Sequence, residues 1–150
     1  MKIKAWKLAG AALDWAVVKA QGSQPTIRSL VVSPNEISSR IFLGDDECNP
    51  STEWAQGGPI IERERIEPAF IDNPEINELA PTQPWVTSIG DSTDEYPGPT
   101  ILVAAMRCYV GSKLGWELDV PDELLASFDD ESRIRDDADD ADDALARPRN

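Results

Sequence analysis

The segment from Pro99 to Gly115 constrains the fold of this chain most. Pro99 suits a first helical turn, where a missing N–H costs nothing. Leu102, Ala105, Met106 and Tyr109 then recur at helical spacing, and Val103 and Val110 widen that apolar face. Lys113 falls in the last turn, where a cation complements the helix dipole, and Gly115 follows as a stop. A helix of this length with so broad an apolar face must be covered by other elements.

The rest of the chain supplies candidates. Met1–Lys4 reads as a first strand, and Ala11–Ala20 as a helix with Leu8, Ala12, Trp15 and Lys19 along one stripe. In that reading Asp14 faces solvent while the Trp15 indole is buried; the alternative sets Asp14 on an amine or a ribose beside the glycine-rich block described below. Thr26–Val32 is β-branched and reads as a strand, Ser33–Glu36 as a turn, and Arg40–Leu43 as a short partner strand. Trp85–Ile89 reads as another strand, and Asp91–Gly98 as an exposed turn-rich loop. Glu117–Pro121 reads as an extended segment, followed by a short turn at Asp122–Leu125. Strands and helices mix without regular βαβ spacing. The expectation is a single compact α+β domain over residues 1–128, with a small, mostly antiparallel sheet and two main helices. Residues 129–150, rich in Asp and Ala, read as a disordered acidic tail.

Charge and composition narrow the function. The formal net charge is −14, and the tail's nine acids and four arginines account for only −5 of it. A body carrying −9 repels phosphate backbones, so direct nucleic-acid binding is not expected. There is no apolar run of membrane-spanning length and no signal-peptide pattern, so the expected setting is cytoplasmic. Histidine is absent, and the two cysteines, Cys48 and Cys108, form no CxxC pair. A Cys/His zinc site is therefore excluded, no cofactor is expected, and the commonest general base is missing. The carboxylate pairs Asp45/Asp46 and Glu62/Glu64 match no known metal loop. The chain reads as a non-enzyme.

The most distinctive stretch for function runs from Asn49 to Arg65. It combines Trp54, Gln56, Gly57, Gly58, Pro59, Glu62 and Arg63. It reads as a shaped loop ending on a helical turn, which Ser51 or Thr52 could cap, and then running into a strand or short helix. Paired glycines let backbone approach a ligand, an indole can stack on a ring, and Gln56 offers both donors and an acceptor. Glu62 can accept from a ribose or a base edge, and Arg63 can pair with a phosphate. The competing reading is a tight turn with Trp54 packed inside and Glu62, Arg63 and Glu64 in surface pairs. Thr100 and Arg107 form a second candidate half-site: a hydroxyl at a helix start and a guanidinium in an apolar helix, either able to hold an anion. The ordinary alternative for Arg107 is to snorkel to solvent or to pair with a carboxylate.

Three blocks carry a family resemblance: Leu13–Val17 (LDWAV), Ser51–Glu64 (STEWAQGGPIIERE) and Gly98–Val110 (GPTILVAAMRCYV). In that order they resemble the NinX-like proteins, small accessory proteins of tailed phages. The resemblance runs from Met1 to about Leu125, leaving out the stretch from Arg65 to Ala80 and the acidic tail. It implies a phage origin and action inside an infected bacterium, and it brings no catalytic residues with it. The expected role is to bind a small, polar, nucleotide-derived ligand and so sequester a host immune signal. The alternative is an acidic interaction protein, or DNA mimic, that blocks a basic site on a host protein. A homo-oligomer with a pocket at its subunit interface would suit so small a domain.

Overall fold

A computed structural model describes residues 1–90 and 92–125. The expectation for the acidic tail lies outside the described residues. The order is β1 (Lys2–Lys4), a 3-10 turn (Ala5–Lys7), α1 (Gly10–Ala20), β2 (Thr26–Ser33), β3 (Glu36–Leu43), β4 (Asp46–Glu47), α2 (Trp54–Glu64), β5 (Ile66–Phe70), β6 (Trp85–Ile89), β7 (Tyr96–Gly98), α3 (Ile101–Leu114), β8 (Glu117–Asp119) and a closing 3-10 turn (Asp122–Leu124). Among the described residues the strands form three small antiparallel sheets, ordered β1-β8, β2-β3-β4 and β5-β6-β7. The fold is α+β.

The segment that opened the sequence reading is the axis of the domain. Thr100 caps α3 by accepting the Val103 N–H at 3.1 Å, and Gly115 ends it at φ 99°. Between them, Leu102 and every residue from Ala104 to Val110 are buried. Small side chains allow neighbours to approach its backbone. A Cβ on Gly98 would lie 2.5 Å from the Ala104 nitrogen, and one on Gly111 would run into the Tyr96 ring. The Thr87 hydroxyl of β6 donates to the Ala104 carbonyl at 2.8 Å, joining the β5-β6-β7 sheet to the helix. α1 and α2 pack on α3 as well, and the β2-β3 hairpin reaches α1 through Ile41. β1 and β8 pair Ile3 with Leu118, and Ala5 donates to the Trp116 carbonyl at 2.8 Å, so the two ends of the described chain meet.

Four local expectations are corrected. The glycine-rich block is not a loop: Trp54–Glu64 is an eleven-residue helix, preceded by Glu53 rather than capped by Ser51 or Thr52. Burial of Ile60 and close packing outweigh the poor helix propensity of two glycines and a proline. β3 begins four residues earlier than expected, at Glu36. The supposed turn-rich loop contains β7, with Tyr96 and Gly98 buried. In α1 the burial is the reverse of the expectation: Asp14 is buried at 7 % exposure and Trp15 is only partly covered.

The paired glycines of α2 do different work. A Cβ on Gly57 would collide with the Pro50 carbonyl and come within 2.6 Å of the Leu102 side chain; one on Gly58 would rest 3.6 Å from the Trp54 ring, an ordinary contact. Gly57→Ala should therefore destabilise the protein by about 1–3 kcal/mol through overpacking. Gly58→Ala should stabilise it by about 0.5–1 kcal/mol through helix propensity and a less entropic unfolded state. Urea unfolding of the two variants checks the opposite signs.

Candidate functional site

A cleft of about 270 Å³ opens between the start of α1, the middle of β3 and the loop that leads from β4 to α2. Gly10, Ala11 and Asp14 form the α1 wall. Ala9, at the helix N-cap, has no side-chain oxygen and the first turn carries no acid, so α1 itself supplies no cap or charge to its N-terminal end. Ser38, Ser39 and Arg40 form the β3 wall, and Asn49, Ser51 and Thr52 the loop wall.

The loop is held in shape by its own hydrogen bonds. Thr52 and Glu53 donate backbone N–H groups to the Asn49 carbonyl at 3.1 and 2.9 Å. Gln56, one turn into α2, clamps the loop from behind. Its amide donates to the Glu47 carbonyl at 3.2 Å and to the Asn49 side-chain oxygen at 2.7 Å, while its own oxygen accepts the Asn49 N–H at 2.8 Å. The missing side chain of Gly57 lets Pro50 seat against α2. These two residues fix where Ser51 stands.

Ser51 and Asp14 are the chemical centre of the cleft. The Ser51 N–H donates to the Asp14 carboxylate at 2.9 Å across 37 residues of sequence. The Ser51 hydroxyl is fully buried, lies near enough to the Asp14 carboxyl to favour its charged form, and has no other partner among the described residues. Burial dominates all the same and raises the Asp14 pKa from 3.8 to about 6; the Ser51 amide opposes this and the charge of Glu47 adds to it. A buried titrating carboxyl beside a buried hydroxyl with spare hydrogen-bonding capacity is what a polar ligand needs and what a folded core avoids. Cys48 also lines the cleft, and burial raises its thiol pKa. Arg40 pairs with Glu47 at 3.0 Å.

The eight residues singled out from the sequence are not gathered in this cleft. Gln56 and Gly57 support its loop. Trp54 is 55 % exposed, with Gly58 under its ring edge. Glu62 is exposed, and Arg63 meets Glu64 at 3.1 Å on the surface, where Lys113 also reaches Glu64. Thr100 caps α3. Arg107 does not snorkel: at 6 % exposure its guanidinium donates to the Leu8 carbonyl at 2.7 Å, to the Pro97 carbonyl at 2.8 Å and to the Gln83 side-chain oxygen at 2.5 Å. Leu8 lies two residues before Gly10, so Arg107 sets the position of the α1 wall. The sequence signal for Asp14 was its place beside Trp15 in a helix; nothing in the spacing announced Ser51 above it.

A family profile described as bacteriophage P22, NinX matches residues 4–113. The chain belongs to this family. The matched span contains every residue of the cleft and nearly all of α3. No curated protein matches the chain. Among the described residues no helix is long and apolar enough to cross a membrane.

Two substitutions separate structure from site. Arg107→Met removes the donor to two carbonyls and should cost about 3 kcal/mol or more, read as a lower urea midpoint with unchanged slope. Asp14→Asn should have the opposite effect at high pH. Because the folded pKa lies above the unfolded one, the folded state binds more protons between about 4 and 6. The penalty of the charged carboxylate is therefore full above about pH 6 and vanishes below about 4. Its ceiling is ~3 kcal/mol. Asp14→Asn should be more stable than the parent by about 1–3 kcal/mol at pH 8, with the gap closing by pH 4 in a pH series of thermal melts.

Proposed function

We propose that this chain is a phage accessory protein that binds a small, polar, nucleotide-derived molecule in the α1–β3 cleft without converting it. The observation that carries the reading is the pair on the cleft wall: a buried carboxyl with a raised pKa, beside a buried hydroxyl that has no partner other than that carboxyl among the described residues. Together they offer an acceptor and a rotatable donor/acceptor to a base edge or a sugar hydroxyl. The open dipole end of α1 would suit one anionic group of the same ligand, whereas the acidic body disfavours a heavily phosphorylated one.

Binding is favoured over turnover for two reasons. The chain has no histidine, and burial raises the pKa of both thiols, that of Cys108 to about 11. Neither supplies a thiolate nucleophile at neutral pH. In the cytoplasm of an infected bacterium such binding would withdraw the molecule from its host receptor, and a host immune signal is the class of target that rewards withdrawal alone.

The test is a thermal-shift and calorimetric screen of nucleosides, nucleotides and cyclic nucleotides against the parent chain, Asp14→Asn and Trp54→Ala. A ligand at about a hundred times its Kd should add about 2.7 kcal/mol, a shift of several degrees. Asp14→Asn should weaken binding by about tenfold or more, as expected when a charge-assisted hydrogen bond is lost. Trp54→Ala should leave binding intact. The proposal is wrong if no member of the panel shifts the melt, or if Asp14→Asn binds as the parent does.

The acidic body supports a second reading, a protein that occupies a basic, normally DNA-gripping surface of a host factor. Such a complex would weaken steeply as salt rises, and it would survive Asp14→Asn but not reversal of surface charge.

A further inference from the structure

The β2-β3 hairpin outruns the body it packs on. Ile27 and Ile41 pair across the hairpin on the face that meets the core; Ile41 is buried and Ile27 partly so. On the same face toward the turn, Val31 pairs with Ile37, yet these two are 75 % and 69 % exposed. Leu30 and Val32 are exposed beside them. The apolar face thus continues past its cover.

The backbone is open too. β2 is the end strand of its sheet, and among the described residues no strand pairs with its outer edge. From Thr26 to Val31 its register with β3 is regular, with a shift only between Val31 and Ser33, at the turn. The usual guards of an exposed edge are missing from that regular run. It has no proline and no lysine, and its one charged side chain, Arg28, is turned onto its own sheet, donating to the Gly44 carbonyl at 3.0 Å and lying 4.2 Å over the Phe42 ring.

Charge selects the occupant. The whole chain carries −14, but the hairpin has two arginines, Arg28 and Arg40, against one glutamate, Glu36. It is a place where two copies can meet without setting acid against acid. An antiparallel strand pair is also self-complementary about a perpendicular twofold axis. With the axis through Leu30, Leu30 stands opposite its own copy, Ser29 opposite Val31 and Arg28 opposite Val32, so no like charges face each other.

We infer that β2 is the dimer edge of this protein: two copies join β2 to β2 antiparallel, turning two three-stranded sheets into one continuous six-stranded sheet. Sedimentation of the full chain over a concentration series should show a monomer–dimer equilibrium that strengthens as salt rises, because screening relieves the repulsion between two acidic bodies. Val31→Lys places a charge on the exposed edge and should weaken the dimer by about tenfold or more. Hydrogen exchange of the parent chain needs no variant: β2 amides should exchange more slowly at high than at low protein concentration, while α3 amides should not change. A monomer at every concentration, a dimer whose β2 amides ignore concentration, or a folded Val31→Lys that dimerises like the parent would each overturn the inference.

Discussion

A single buried guanidinium organises this domain. Arg107 sits in the middle of α3 and gathers the carbonyl that precedes α1, the carbonyl of Pro97 in β7 and the side chain of Gln83 ahead of β6. Three segments distant in sequence thereby share one reference point. A guanidinium fits this position because its several fixed N–H donors can serve carbonyls from different segments at once in a dry interior. The same bond to Leu8 aims the first turn of α1, and with it one wall of the cleft. The apolar contacts on α3 supply most of the adhesion, but they are non-directional; the guanidinium provides direction.

Close approach is the second constraint. α3 can be a core helix for a sheet, two helices and a turn at once because Ala104, Ala105 and Gly111 leave its backbone accessible, while Gly98 and Gly57 do the same from the partner side. Against this dense packing, Asp14 is an exception. A carboxyl held at 7 % exposure with a raised pKa works against the fold at neutral pH. The binding role proposed above would account for this cost, since stability is commonly given up where a site needs a polar group.

Much of the architecture was legible. α3, β6 and the extended segment at 117–119 stand where periodicity, β-branching and turn residues put them, as does the helix after Leu8. The misses have physical causes. β5 and β7 were hidden by Pro68 and Pro97, residues that argue against a strand; both strands lie at the edges of their sheet, where a missing N–H is tolerated. α2 was hidden by its own glycines and proline, whose unfavourable propensity is outweighed by packing against Pro50 and Leu102. The cleft itself could not be read. Asp14 and Ser51 are separated by 37 residues, and helical spacing records which residues share a face but not which loop will fold over it. Among the residues singled out from the sequence, Gln56 acts as a clamp, Thr100 as a cap and Arg107 as a tie.

The pairing of β1 with β8 has a consequence for synthesis. Residues 2–4 find their partners only at 117–119, and α1, α2 and the β5-β6-β7 sheet all pack on a helix that begins at 101. An emerging chain therefore has no stable platform until residues 101–119 have left the ribosome. Contacts of such long sequence separation are slow to form. Maturation must then be a concerted event, with α1 waiting unsheltered for the central rod to arrive.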